Sequence, residues 1–199
     1  MEFEFSDGRI KFERNLSDLD KLVIRFVKIL DRLGIDYVII SGYIAILFGR
    51  SRNTEDVDMF IEEMPFDKFK QFWEELGKEG FECINESNPE RAFNDYLKEK
   101  LALRFAEKGE FEPNFELKFP KTDLNHYSLK NKVFVEINGE RINTSKMELQ
   151  IAFKLYLGSD KDIEDAIHLW QMFKGKLNIE LFNGFVKRLK VEERVKELE

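Results

Sequence analysis

The 199-residue sequence predicts an α+β fold: a mixed twisted sheet with flanking helices, α/β-like in its N-terminal part, followed by a helical annex. Three observations carry that expectation. Residues 36–63 read as strand, tight turn, short helix and second strand. Two later runs, 115–119 and 133–137, are strand-like and rich in alternating or β-branched apolar residues. From Ser145 onward the character changes to all helix. The chain is therefore divided near residue 144, with 1–144 as the sheet-bearing domain and 145–199 as the helical region.

In chain order, Phe3, Phe5, Ile10 and Phe12 surround Asp7-Gly8, which suits a short edge hairpin. Over 18–33, Leu19, Leu22, Val23, Phe26, Val27, Leu30 and Leu33 follow the helical period, with Ser17 as N-cap and Gly34 closing the helix. Val38-Ile39-Ile40 is a buried strand, Ser41-Gly42 a turn, Tyr43–Phe48 a compact helix closed by Gly49, and Val57–Ile61 the next strand. After Met64-Pro65, residues 66–77 carry an aromatic stripe (Phe66, Phe69, Phe72, Trp73) that belongs to the core. Strands follow at 80–84 and 101–106, separated by a helical or turn segment from Asn88-Pro89 to Tyr96. The run 133–137 ends in the hairpin turn Asn138-Gly139. Thr144 or Ser145 caps a helix over Met147–Leu157 that Gly158 ends, Ser159 caps Asp160–Phe173, and helices at 177–189 and 191–198 finish the chain.

Composition narrows the function classes. Apolar residues make up 43% and charged residues 36%, so the chain is globular, and its Lys- and Glu-rich surface has a thermophile-like balance. A net charge of −7 gives no general attraction for nucleic acid. The single cysteine, Cys83, excludes an internal disulfide and fits a reducing compartment. The acidic N-terminus has no apolar signal region, and no apolar run approaches the ~20 residues a spanning helix needs. The expected location is the cytoplasm, with no membrane partner. Two histidines, His126 and His168, make no zinc cluster.

The chemistry lies around 41–58. Strand alternation turns Asp56 and Asp58 to one face, with Val57 in the core. Two carboxylates this close repel unless a cation lies between them, and oxygen ligands suit Mg²⁺ or Mn²⁺. The turn at Ser41-Gly42 permits close approach of backbone to a ligand. Glu116 and Lys118 share the polar face of the 115–119 strand, and Glu116 is the candidate third carboxylate. Glu136 on the 133–137 strand competes for that role.

Ser41-Gly42-Tyr43 followed by Gly49-Arg50-Ser51-Arg52-Asn53-Thr54-Glu55-Asp56-Val57-Asp58 resembles the signature of the DNA polymerase β-like nucleotidyltransferases, closest to the AbiEii-like abortive-infection toxin group. The departure is Ser41 where that group has a first glycine. Further on, Lys154 followed by Lys161-Asp162 and Asp165 resembles the group's C-terminal pattern. The resemblance implies metal-dependent transfer of a nucleoside monophosphate from an NTP to an acceptor hydroxyl, with pyrophosphate released. It implies Asp56, Asp58 and Glu116 as catalytic metal ligands, and Ser41, Gly42, Arg52, Thr54, Lys154, Asp162 and Asp165 as the nucleotide-binding set. RNA, a protein or a small molecule could carry the acceptor hydroxyl, and an antitoxin is an implied partner. The missing first glycine keeps open a non-catalytic nucleotide- or partner-binding protein on the same fold, and a metal-dependent hydrolase is a third reading.

Overall fold

A computed structural model describes residues 3–6 and 8–199. Among these, nine strands form one mixed sheet: β1 (Glu4–Ser6), β2 (Arg9–Phe12), β3 (Tyr37–Ile39), β4 (Asp56–Ile61), β5 (Phe81–Cys83), β6 (Leu103–Glu107), β7 (Asn114–Lys118), β8 (Val133–Ile137) and β9 (Glu140–Thr144), in the order β1-β2-β8-β9-β3-β4-β7-β6-β5. The edge strands β1 and β5 are three residues each, which limits the unpaired backbone offered to other chains. Central β3 is fully buried, as its unbroken apolar run Tyr37-Val38-Ile39 requires. The N-terminal hairpin forms with Ser6 opposite Arg9; Asp7, in its expected turn, lies outside the described residues.

One face of the sheet is covered by α1 (Asp18–Arg32) and α3 (Phe66–Lys78). Phe26 of α1 stacks on Phe115 of β7 with centroids 3.9 Å apart, and its edge meets Phe72 and Phe81. Each fully buried side chain of this kind is worth about 1.5–3 kcal/mol, so this face fixes where β7 lies relative to the helices. Val57 and Met59 of β4 are likewise buried. Alternation then sends Asp56, Asp58, Phe60, Glu116 and Lys118 to the opposite face.

The N-terminus of α1 is pinned by a capping box. The Ser17 hydroxyl accepts from the Asp20 N–H, and Asp20 accepts from the Ser17 N–H at 2.7 Å. Asp20 is fully buried and also accepts from Arg14 and from the Tyr43 hydroxyl, each at 2.8 Å. Burial, with the Asp20 charge beside it, raises the Tyr43 phenol well above its usual range, so it remains a donor. Asp20 thereby ties α1 to α2 (Gly42–Leu47).

The opposite face is met by α5 (Asp123–Lys130) and α6 (Met147–Leu157). Helices α7 (Asp160–Phe173) and α8 (Ile179–Leu189) pack on α6, and a 3₁₀ helix (Glu192–Leu198) ends the chain. Gly158 reverses the chain between α6 and α7 at φ 71°, and Arg194 fills the space a side chain there would need, donating to the Leu155 carbonyl at 2.7 Å.

Several expected bounds shift. The strand expected at 101–106 runs Leu103–Glu107, because Leu101 is exposed and precedes the ladder with β7. The helical segment after Asn88 is a short turn, α4 (Pro89–Arg91), that widens into a π-helical turn over Ala92–Leu97. Neither Thr144 nor Ser145 caps α6: Thr144 ends β9 and Lys146 holds the cap position. Helix α5 is too short to show a helical period, and its capping box pairs Thr122 with Asn125 instead of an acid.

Asp20→Ala leaves Tyr43 and Arg14 without their buried acceptor. Denaturant unfolding should show a loss of about 2–4 kcal/mol, and a smaller loss for the same change in a Tyr43→Phe background, because the two side chains share one interaction.

Candidate active site

The bend after β3 is tightly specified. Ser41 has φ 65° and ψ −134°, a conformation that favours glycine, and its N–H donates to Gln150 Oε1 at 3.0 Å. This is the position where the resembled group has its first glycine. Gly42 opens α2, and a Cβ there would lie 2.9 Å from Arg52 Nη2 and 3.4 Å from Thr54 Oγ1. The loop between α2 and β4 therefore folds back onto the bend. Thr54 Oγ1 donates to the Asp56 carbonyl at 2.9 Å, joining that loop to the first residue of β4.

Strand register brings the carboxylates together. β4 and β7 are parallel, with Asp58 opposite Glu116 and Asp56 opposite Asn114. One carboxylate oxygen from each of Asp56, Asp58 and Glu116 lies within 4.8 Å of the others. Two cations answer this charge. Lys118 Nζ lies 3.0 Å from Glu116 and 3.6 Å from Asp58, and Arg104, opposite Glu116 on β6, bonds it at 3.1 Å. Burial, then the hydrogen bond shared with Glu116 and the charges of Asp56 and Glu116, push the Asp58 carboxyl up to about 7 against the pull of Lys118. Burial also works upward on Glu116, but its bonds to Asp58, Lys118 and Arg104 outweigh it and hold Glu116 at about 2. The pair keeps one shared proton into the neutral range.

Glu136 does not join them. It lies on β8, two strands beyond β3, where Arg9 and Lys11 pair with it. Its run looked like that of Glu116, and only the strand order separates the two.

The remaining candidates meet at a second cluster. Asp165 of α7 is fully buried and accepts from Arg50 and Arg52, and Lys154 Nζ lies 2.8 Å from it. Lys154, itself buried, also donates to Asp162 at 2.8 Å, and Arg50 pairs with Glu164. Burial works upward on Asp162, but its bonds from Lys154 and Ser159 prevail and hold it below the usual carboxylate range. Arg52, against Gly42, links this cluster to the bend. Nearby, His168 Nε2 lies 3.0 Å from the Phe48 carbonyl, packing α7 on α2.

Beside the carboxylates lies a cavity of about 300 Å³. Asp58, Phe60 and Lys118 line it from the sheet, Ser41 from the bend, Asn125 and Ser128 from α5, and Phe153 and Leu157 from α6. Sequence reasoning missed Arg104, Arg50 and this cavity. Lys118 was visible only as a neighbour of Glu116 on one strand face. Arg50 stands inside the matched motif but carries no local sign of its partner 115 residues away.

A family model described as "Nucleotidyl transferase of unknown function (DUF2204)" matches residues 19–105, a span that includes the bend, Asp56 and Asp58 but stops before Glu116. No curated protein matches the chain. Among solved structures, an antigenic nucleotidyltransferase-like protein from Paracoccidioides brasiliensis is 21% identical, with a TM-score of 0.52 over 92% of this chain and 94% of that one. The antibiotic-resistance factor ANT(2″)-Ia is 13% identical in its solution structure, with a TM-score of 0.55 over 91% and 97% of the two chains. Its crystal structure in complex with adenylyl-2″-tobramycin is 15% identical, with a TM-score of 0.54 over 86% and 99%. The chain shares the nucleotidyltransferase type of fold.

Two outcomes follow from the site's electrostatics and backbone. Folded Asp58 titrates near 7 against an ordinary value of 3.8, so between these values the folded chain holds a proton that the unfolded chain has lost. Stability must therefore fall as pH rises through this window. In EDTA, thermal unfolding should show a loss of about 2 kcal/mol between pH 5 and 7, or about 5 °C, and Asp58→Asn should remove that slope; the same slope in both proteins would exclude Asp58 as its source. Ser41→Gly should relieve the strained backbone and raise stability by about 1 kcal/mol in the same assay.

Proposed function

We propose that the chain is a metal-dependent nucleotidyltransferase that moves a nucleoside monophosphate from an NTP to an acceptor hydroxyl. One observation carries this reading: three carboxylates from adjacent parallel strands converge beside a strained Ser-Gly bend, on a nucleotidyltransferase-type fold. The signature at Gly49–Asp58, which resembles the AbiEii-like group, supports it further.

The donor set fits a hard divalent cation. It is all oxygen and three-sided, and burial together with the neighbouring acids makes Asp58 retain a proton that a cation could replace. Asp56, Asp58 and Glu116 would hold Mg²⁺ or Mn²⁺. Such a cation supplies charge neutralisation for the phosphates and for the departing pyrophosphate. The Ser41 hydroxyl and the Gly42 N–H meet the β- and γ-phosphates at the bend. Arg52, paired with Asp165 and packed against Gly42, holds the bend in place for the nucleotide, with Thr54 fixing the loop. Lys154, Asp162 and Asp165 hold Arg52 and Arg50 in place behind it.

In the reaction the acceptor oxygen bonds to the α-phosphorus and the α–β bridging bond breaks, so pyrophosphate carries away the electron pair. The hydroxyl proton passes to Glu116, which the strand register sets beside Asp58 and which Lys118 and Arg104 hold in place. Arg104 acts by orienting that carboxylate.

Labelled NTPs incubated with Mg²⁺ and a mixed set of hydroxyl acceptors test the reading. The wild type should transfer label, and Asp58→Ala and Glu116→Ala should each lose about 100-fold or more. Equal transfer by wild type and variants refutes the assigned roles, and tight NTP binding indifferent to Mg²⁺ with no turnover would favour a non-catalytic binder.

A further inference from the structure

We infer that the cavity beside Asp58 is the acceptor site, and that the acceptor is a compact, uncharged, largely apolar compound carrying a hydroxyl. This rests on the nucleotidyl-transfer reading and narrows its substrate. At about 300 Å³ the cavity matches the lower end of small-molecule sites and is far too small for a folded polymer. Its walls are largely apolar: Phe60 from the sheet, Phe153 and Leu157 from α6. Asn125 and Ser128 place a few polar groups among them, the pattern that orients a small ligand.

Charge argues against the other acceptors. Among the described residues, the only charged side chains lining the cavity are Asp58 and Lys118, which face each other at 3.6 Å. A polycationic sugar would need several free carboxylates there. A polynucleotide would need a track of cations, yet Arg50, Arg52 and Lys154 are engaged by Asp162, Glu164 and Asp165, Arg104 is engaged by Glu116, and the net charge is −7. The cavity also adjoins the group that receives the proton, because Lys118 in its wall is bonded to Glu116. A hydroxyl bound there meets Asp58, the one carboxylate of the three in the cavity wall, as an acceptor oxygen must.

The test measures binding without turnover. Ligand-observed NMR with a panel of neutral aromatic and alicyclic alcohols, tobramycin, a short RNA and adenosine is run on the wild type and on Leu157→Trp. Leu157 is half exposed at the cavity's rim, so the tryptophan narrows the entrance without touching the core, and an unchanged melting temperature confirms the fold. Neutral alcohols should bind and should weaken at least tenfold in the variant, while adenosine should be unaffected. No alcohol sensitive to position 157, or sensitivity of adenosine, RNA or tobramycin in its place, overturns the proposal. The best alcohol is then offered with labelled NTP. Labelled alcohol completes the case. Alcohol bound in the cavity with label passing to other hydroxyls overturns the acceptor role. Alcohol bound with no transfer to any hydroxyl refutes the reaction itself, a result separable from failure to bind.

Discussion

The structure depends on holding three carboxylates within 4.8 Å of one another. At that separation a pair of unit charges costs about 3.5 kcal/mol at an effective dielectric of 20. Nothing local would keep them there. What does is the parallel register of β4 and β7, and that register is fixed from the other side of the sheet, where Val57, Met59, Phe115 and Leu117 are buried and Phe26 lies flat on Phe115. A slip of one residue would drive every charge into the core and every core side chain out. The aromatic layer thus sets the position of the acids without touching them.

The repulsion is offset in three ways that remain adjustable. Lys118 and Arg104 supply positive charge across the strands, and Asp58 keeps a proton near neutrality. None of these is as well placed as a divalent cation between the oxygens would be, and each can yield: an ammonium on a flexible stem can swing away, and a proton can leave. The second cluster is built differently. Around buried Asp165, two arginines and a lysine are matched by Asp162 and Glu164, so its charges are already satisfied within the protein. Breaking such a buried arrangement typically costs 3–5 kcal/mol. The first cluster sets three carboxylates against two cations, whereas the second is a matched clasp between the α2–β4 loop and the C-terminal helices.

How much of this was legible in the sequence follows the range of each interaction. The Asp56–Asp58 pair, the Ser17 cap on α1, and the bounds of α6 and α7 are set by neighbours within a turn or two, and they read directly. Glu116 and Glu136 could not be separated, because strand pattern gives the face of a residue but not the strand beside it. Arg104 and Arg50 were invisible for the same reason: each acquires its partner through pairing or packing across the chain. The cavity needs four elements at once, one of them α5, whose eight residues are too few to show a period.

Ser41 shows how strain and function are combined. A glycine would adopt φ 65° and ψ −134° freely, whereas serine pays for it. The chain keeps that conformation because the surroundings over-determine it: Gln150 accepts the Ser41 N–H, Tyr43 is anchored by Asp20, and Arg52 and Thr54 close on Gly42 so that no side chain fits there. The bend is therefore rigid before any ligand arrives, and the serine hydroxyl adds a hydrogen-bonding group that the glycine of the resembled signature lacks. A tightly held bend after β3 and an ion-paired lysine on β7 are complementary. The first fixes where an anion can lie, and the second lets the neighbouring carboxylates change their protonation and partners as it arrives.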